Sequence, residues 1–343
     1  MLALVLPPVR RAIDVCNCHV TNAAMLTILN LALPFFGVIV AGFIAAKAFR
    51  LPEDGLAWLN ILIVYFALPA MIFLTVSATP FEKLVDWPFV LATSLATYLT
   101  FIVPFIVSVF VLRTRITTAA IHGTSASFGN VGYMGLPLAV AFFGQEAAVP
   151  AALIFCFDCT LQFTLTPLLA TLGRGEDRPR KSPGKVLLEV MKSVITHPFI
   201  IATILGVLAS AFNFSPPVLI DSFLQMISKA AGPAALFALG VTLGMRRLAG
   251  IGPELPLIVM MKLFVHPALV FALLTMMGGT SPLWFSVALM MAALPTATNA
   301  FILASQYKRY VEGASSSILI TTIISALTLP TLVYLLKNGF IGF

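Results

Sequence analysis

Charge is what this sequence has least of. Its 343 residues include only 20 Lys and Arg and 13 Asp and Glu, 10% of the chain, where a soluble domain carries about 25%. That is too little to cover a water-facing surface, so a soluble globular protein is excluded. Cysteine is sparse as well: four residues do not make a disulfide framework, and Cys156 and Cys159 lie inside an apolar run where a redox or zinc spacing has no support. Cys16, Cys18 and His19 are slender ground for a metal, and none is expected. A Walker GxxxxGK[ST] loop is absent, which excludes direct ATP coupling within the chain; no cofactor is expected. The net charge of +7 comes without any basic stripe interleaved with aromatics, so nucleic acid is not an expected partner.

What fills the chain instead is apolar: 60% of residues are hydrophobic and the mean hydropathy is +1.04. Ten apolar segments, at approximately 26–47, 56–77, 88–112, 117–143, 148–171, 188–211, 217–243, 254–278, 283–304 and 314–336, have the length of about 20 residues needed to cross a lipid bilayer. The expectation is an all-α polytopic membrane protein. If all ten cross, the loops on one side hold fourteen Lys and Arg, from Lys47 to Arg309, and the other side holds Arg10, Arg11, Lys83 and Lys337. The positive-inside rule then puts both termini outside the cytoplasmic membrane and the basic linker 172–187 in the cytoplasm. Residues 1–25, broken by Pro7 and Pro8, lack signal-peptide order and read as a disordered extension, with Met25 a candidate start.

Sliding the chain on itself by 164 residues matches Pro34 with Pro198, Gly42 with Gly206, Pro69 with Pro233 and Phe73 with Phe237. At 166, Glu146 meets Glu312 and Ile154 meets Ile320. The halves, 26–171 and 188–343, read as two five-helix repeats. An odd helix number inverts the second copy, an arrangement characteristic of secondary transporters.

The fourth segment of each repeat is interrupted. HGTSASFGNVGYMGLP (122–137) and ALPTATNAF (293–301) put glycine, proline, hydroxyls and asparagine where a span should be most apolar. Breaks at corresponding positions point to a transporter's binding site. Gly129, Gly132, Pro137 and Pro295 are the expected break residues. Asn130, Tyr133, Thr296 and Asn299 are the expected substrate contacts. Half-helix N-termini crossing there suit an anion. Either asparagine taken alone also fits a cap or an interhelical hydrogen bond. Prolines recur in every span, and those outside the breaks read as bends.

GNVGYMGLPL at 129–138, ALPTATNAFILASQY at 293–307, LALPFFGVIVAGF at 31–43 and YFALPAMIF at 65–73 resemble the auxin efflux carrier family, which includes bacterial malonate and malate permeases. The resemblance runs over essentially the whole chain from Met25. It implies a scaffold of segments 1, 2, 6 and 7 that forms a homodimer, and a transport domain of segments 3–5 and 8–10 that moves like an elevator. It also carries the family's crossover residues onto Asn130, Pro295 and Asn299. Gly129 stands where plant members have proline, and the 172–187 linker is far shorter than theirs, so auxin itself is not indicated.

Ionisable residues inside spans are functional candidates. Asp158 lies roughly 15 Å below the outer surface and His266 roughly 18 Å from the cytoplasm at 1.5 Å per residue. Lys262, one turn before His266 on the same face, is near enough to the cytoplasmic surface to snorkel. Asp158 with His266 or Lys262 forms either a structural ion pair or a proton-responsive one, and Lys262 is also placed to attract an anion. His122 and His197 read as interfacial. These features add up to a secondary transporter of a small organic anion with proton or sodium coupling. A sodium-coupled symporter of bile-acid-symporter type is the alternative, with Thr124, Ser125, Ser127, Thr296 and Thr298 as possible oxygen ligands. A membrane-embedded enzyme is disfavoured, because convergent acid, base and nucleophilic groups are lacking, and a channel because no filter loops or charge rings appear.

Overall fold

The computed structural model describes residues 33–49, 55–84, 86–172, 195–246 and 248–341, together with Gly184, Leu188, Met191 and Lys192. The expected N-terminal extension 1–25, with Cys16, Cys18 and His19, and nearly all of the 172–187 linker lie outside the described residues.

The described chain forms helices α1 (Leu33–Phe49), α2 (Gly55–Ser77), α3 (Trp87–Phe110), α4 (Ile116–Ser127), α5 (Val131–Phe143) and α6 (Ala148–Leu172). These are followed by α7 (Pro198–Ala211), α8 (Val218–Met245), α9 (Glu254–Met277), α10 (Pro282–Ala292), α11 (Asn299–Tyr307) and α12 (Val311–Lys337). Among the described residues the only strand-like pairing is an antiparallel bridge between Gly129 and Thr296. Among the described residues six helices, α2, α3, α6, α8, α9 and α12, are long and apolar enough to cross a membrane. Ten spans were expected, the fourth and ninth of them broken. The shorter helices lie where most of 173–194 before α7 and all of 1–32 before α1 are outside the described residues, and where the fourth and ninth segments are each split in two.

Sequence explains how the helices begin and where they deform. At α3 the Asp86 carboxylate accepts from Phe89 N at 3.0 Å, with Pro88 in the first turn where no donor is needed. Three wide π turns, 62–67, 131–135 and 261–265, each end two residues before a proline: Pro69, Pro137 and Pro267. A proline ring collides with the carbonyl four residues back and removes a donor, and a locally widened turn relieves both. Threonines inside the apolar helices return their hydroxyls to the preceding turn, as Thr93 does to Phe89 O at 2.8 Å and Thr100 to Ala96 O at 2.7 Å.

In the packing, α2 lies on α7 and α8, while α3 lies on α4, α6 and α9, and α10 touches α6, α9 and α12. Helices α1 and α8 cross backbone to backbone. A side chain at Gly240 would run into the Ile39 carbonyl, and one at Gly42 into the Phe237 carbonyl. Small residues at such crossings are what membrane helices use to approach closely.

Candidate functional site

Helix α4 ends at Ser127 because Phe128 turns extended, and α10 ends at Ala292. The backbone freed by these breaks is buried in an apolar core, where each unpaired N–H or C=O costs several kcal/mol. The two broken segments therefore satisfy each other. Asn130 N donates to Pro295 O at 2.8 Å, and Ala297 N donates to Phe128 O at 3.0 Å. The Asn130 carbonyl then accepts from Met134 N at 3.1 Å and Gly135 N at 3.0 Å, starting α5. Thr296 N donates to the Thr321 hydroxyl of α12 at 3.0 Å.

The expected contact residues divide in this geometry. Asn130 is 2% exposed, and its Nδ2 is buried without a hydrogen-bond partner among the described residues. A buried amide donor left unpaired is costly, and this one lies where the two broken segments cross. Asn299, half-buried, is the first residue of α11, whereas Asn130 directly precedes α5. Tyr133 turns the other way, and its hydroxyl donates to Asn60 Oδ1 on α2 at 3.1 Å. Thr296 is fully buried with its hydroxyl on Ser125 O at 2.7 Å, so it is a tie within the crossing rather than a free ligand group.

Of the expected break residues, Gly129 and Pro295 sit at the crossing itself. Gly132 and Pro137 do not: both lie inside α5, Gly132 close against the Phe155 and Phe199 rings and Pro137 just after the π turn. The wide turn absorbs Pro137, so the helix bends there without ending. Of the hydroxyls considered for sodium, Thr124 bonds Ala120 O and Thr166, and Ser127 bonds Gly123 O, while Ser125 Oγ is buried without a partner.

The charged groups lie beside the crossing. Lys262 is 0% exposed and does not snorkel; the face of α9 that carries it packs inward. Its Nζ donates to Ala292 O, the last carbonyl of α10, at 2.6 Å and lies 3.0 Å from His266 Nδ1. A cation at a helix C-terminus is favourable, and hydrogen bonds to a charged group are worth about 1.5–3 kcal/mol each, which offsets part of the cost of burying the ammonium. Gly129 makes room: a Cβ there would be 3.4 Å from Lys262 Nζ. His266 Nε2 is 3.3 Å from Thr97 Oγ1, which is 3.1 Å from Asp158 Oδ1. Asp158 and Lys262 are thus joined through Thr97 and His266 rather than as a direct ion pair. His122 is buried rather than interfacial, with Nδ1 2.7 Å from Ser108 Oγ.

Thr97 and Gln162 were not singled out by sequence. Thr97 carried a signal, since Thr93, Thr97 and Thr100 form a buried polar stripe along α3. Gln162, one turn after Asp158 and with both amide atoms buried and unpartnered, is one more polar residue at i+4 on α6.

A family model described as membrane transport protein matches residues 27–333. A candidate malonate transporter of Rhizobium meliloti is 40% identical over 92% of this chain and 98% of its own length. An uncharacterized transporter of Methanothermobacter thermautotrophicus is 26% identical over 85% of this chain and 93% of its own. Auxin efflux carrier component 8 of Arabidopsis thaliana is 24% identical over 89% of this chain and 95% of its own.

Proposed function

The chain belongs to the membrane transport protein family, that of the auxin efflux carriers, and on that premise we propose that it is a secondary transporter moving a small mono- or dicarboxylate such as malonate or malate. It is an integral membrane protein and a transporter, not an enzyme. In this reading ten spans form two inverted five-helix repeats in the cytoplasmic membrane with both termini outside. Helices α1, α2, α7 and α8 serve as a dimeric scaffold, and the remaining helices move as the transport domain. The packing of α2 on α7 and α8, and of α1 on α8, supports that grouping.

The observation that carries the substrate class is the unpaired Asn130 amide beside the buried Lys262 ammonium, where two broken helices cross. Both offer donors, and the α5 and α11 N-termini add partial positive charge. That field recognises a carboxylate. Asn130 and Asn299 hold it, Lys262 balances its charge, and Asp158 with His266 responds to protons. The similarity to a candidate malonate transporter supports a small dicarboxylate among these.

The test is uptake of radiolabelled malonate, malate and a monocarboxylate into proteoliposomes, first under a pH gradient and then under a sodium gradient. Saturable uptake driven by the pH gradient is expected, and uptake driven by sodium alone would favour the symporter alternative. Asn130→Ala and Asn299→Ala are each expected to abolish anion binding in folded protein. Wild-type affinity in both would remove the site.

A further inference from the structure

The four side chains linking the crossing to α6 have a determinable hydrogen-bond polarity. Lys262 Nζ donates to the Ala292 carbonyl, which has no proton to give, and as an ammonium it donates also to His266 Nδ1. An imidazole accepting at Nδ1 carries its proton on Nε2, so His266 donates to Thr97 Oγ1. The Thr97 hydroxyl has one proton and two acceptors within reach, Asp158 Oδ1 and Thr93 O, each at 3.1 Å. The carboxylate is the stronger. Every bond therefore points from Lys262 towards Asp158. All four side chains are at least 96% buried, so water does not interrupt the chain.

We propose that Thr97 and His266 form a proton relay between Lys262 at the crossing and Asp158 on α6, with Thr97 the positioning residue that closes it. In one step the Lys262 Nζ proton passes to His266 Nδ1, the His266 Nε2 proton to Thr97 Oγ1, and the Thr97 hydroxyl proton to Asp158 Oδ1. The ammonium becomes an amine and the carboxylate an acid, no heavy atom moves, and the summed charge of the four is unchanged. Each bond reverses direction. A carboxylate at the crossing holds the proton on Lys262, and its departure lets the proton return to Asp158, so anion occupancy and protonation of α6 are read against each other. The other titratable groups on the elements packed here are Tyr98, exposed on α3, His122 of α4, tied to Ser108 of α3, Cys156 and Cys159 beside Asp158, Glu254 at the first turn of α9, and Glu312, Tyr334 and Lys337 on α12.

The relay rests on the transport reading, and its test separates the two. In proteoliposomes, Thr97→Val keeps the shape of threonine and removes the bridging hydroxyl. Malonate accumulation under a pH gradient is expected to fall by about ten-fold or more, the scale of losing a hydrogen bond to a charged group, while malonate counterflow stays within about two-fold. Thr97→Ser is expected to restore accumulation. A Thr97→Val protein with the wild-type pH profile overturns the relay and leaves the transport reading standing. A second measurement needs no substrate: ring-15N histidine spectra of the purified protein, with the His266 signal assigned by its loss in His266→Gln. With no anion at the crossing the proton rests on Asp158, so a proton on Nδ1 and a bare Nε2 are expected at neutral pH. An Nε2–H tautomer or an imidazolium in the anion-free protein overturns the relay, whatever solute the protein carries.

Discussion

At the residue scale, the polar side chains of the crossing divide into those already occupied and those still open. Thr296 is occupied. Thr296→Val would leave the Ser125 carbonyl buried without its donor, a cost of about 1–3 kcal/mol, so the melting temperature of the detergent-solubilised protein is expected to drop while anion affinity in the remaining folded protein holds. Thr296→Ser is expected to melt like wild type. Unchanged melting with lost affinity would turn the hydroxyl into a ligand contact. Sequence made the asparagines legible because a carboxamide in an apolar run is rare and these two sit at matching breaks. It did not distinguish Asn130, with an open amide, from Thr296, whose hydroxyl is spent, because that depends on which carbonyl lies opposite. Lys262 was misread for a related reason. Its distance from the end of α9 allowed snorkelling, and only the packing of α9 against α10 and the gap at Gly129 turn it inward.

At the element scale, helices are placed by what their backbones can approach. Gly240→Val would drive a side chain into the Ile39 carbonyl and the Phe43 backbone. Overpacking of that kind costs about 1–3 kcal/mol even where side chains can yield, and here the obstacle is main chain. A clear loss of thermal stability is expected. Gly37→Val on α1, with nothing within 4 Å, is the control and should melt as wild type does. The broken helices were legible in sequence, since glycine, asparagine and proline interrupted two otherwise apolar runs. The π turns were not. The prolines inside spans look alike in sequence, yet among the described residues only Pro69, Pro137 and Pro267 follow a widened turn. Whether a helix widens or simply bends depends on its neighbours rather than on its own residues.

At the scale of the whole molecule, the proposed motion carries α5 past α2, and Tyr133–Asn60 is a contact that such a motion must break. In a cysteine-free background, Asn60→Cys with Tyr133→Cys bridged by a short bismaleimide is expected to stop malonate counterflow, and the unbridged double variant is expected to retain it. Full activity after bridging would show that these two helices do not part during the cycle. The proposed division into scaffold and transport domain comes from the family resemblance, whereas this contact was not legible in sequence, because Asn60 stands in a span with no matching feature in the other half.

The crossing is fastened by main chain: Asn130 N to Pro295 O, and Ala297 N to Phe128 O. A fastening of that kind is indifferent to most substitutions around it, so the choice of cargo can drift. The side chains at 130 and 299 can be exchanged without removing either of the main-chain bonds that hold the half-helices together. If the proposed site is the one used, one scaffold can in this way supply carriers for chemically different solutes, with selectivity altered a side chain at a time.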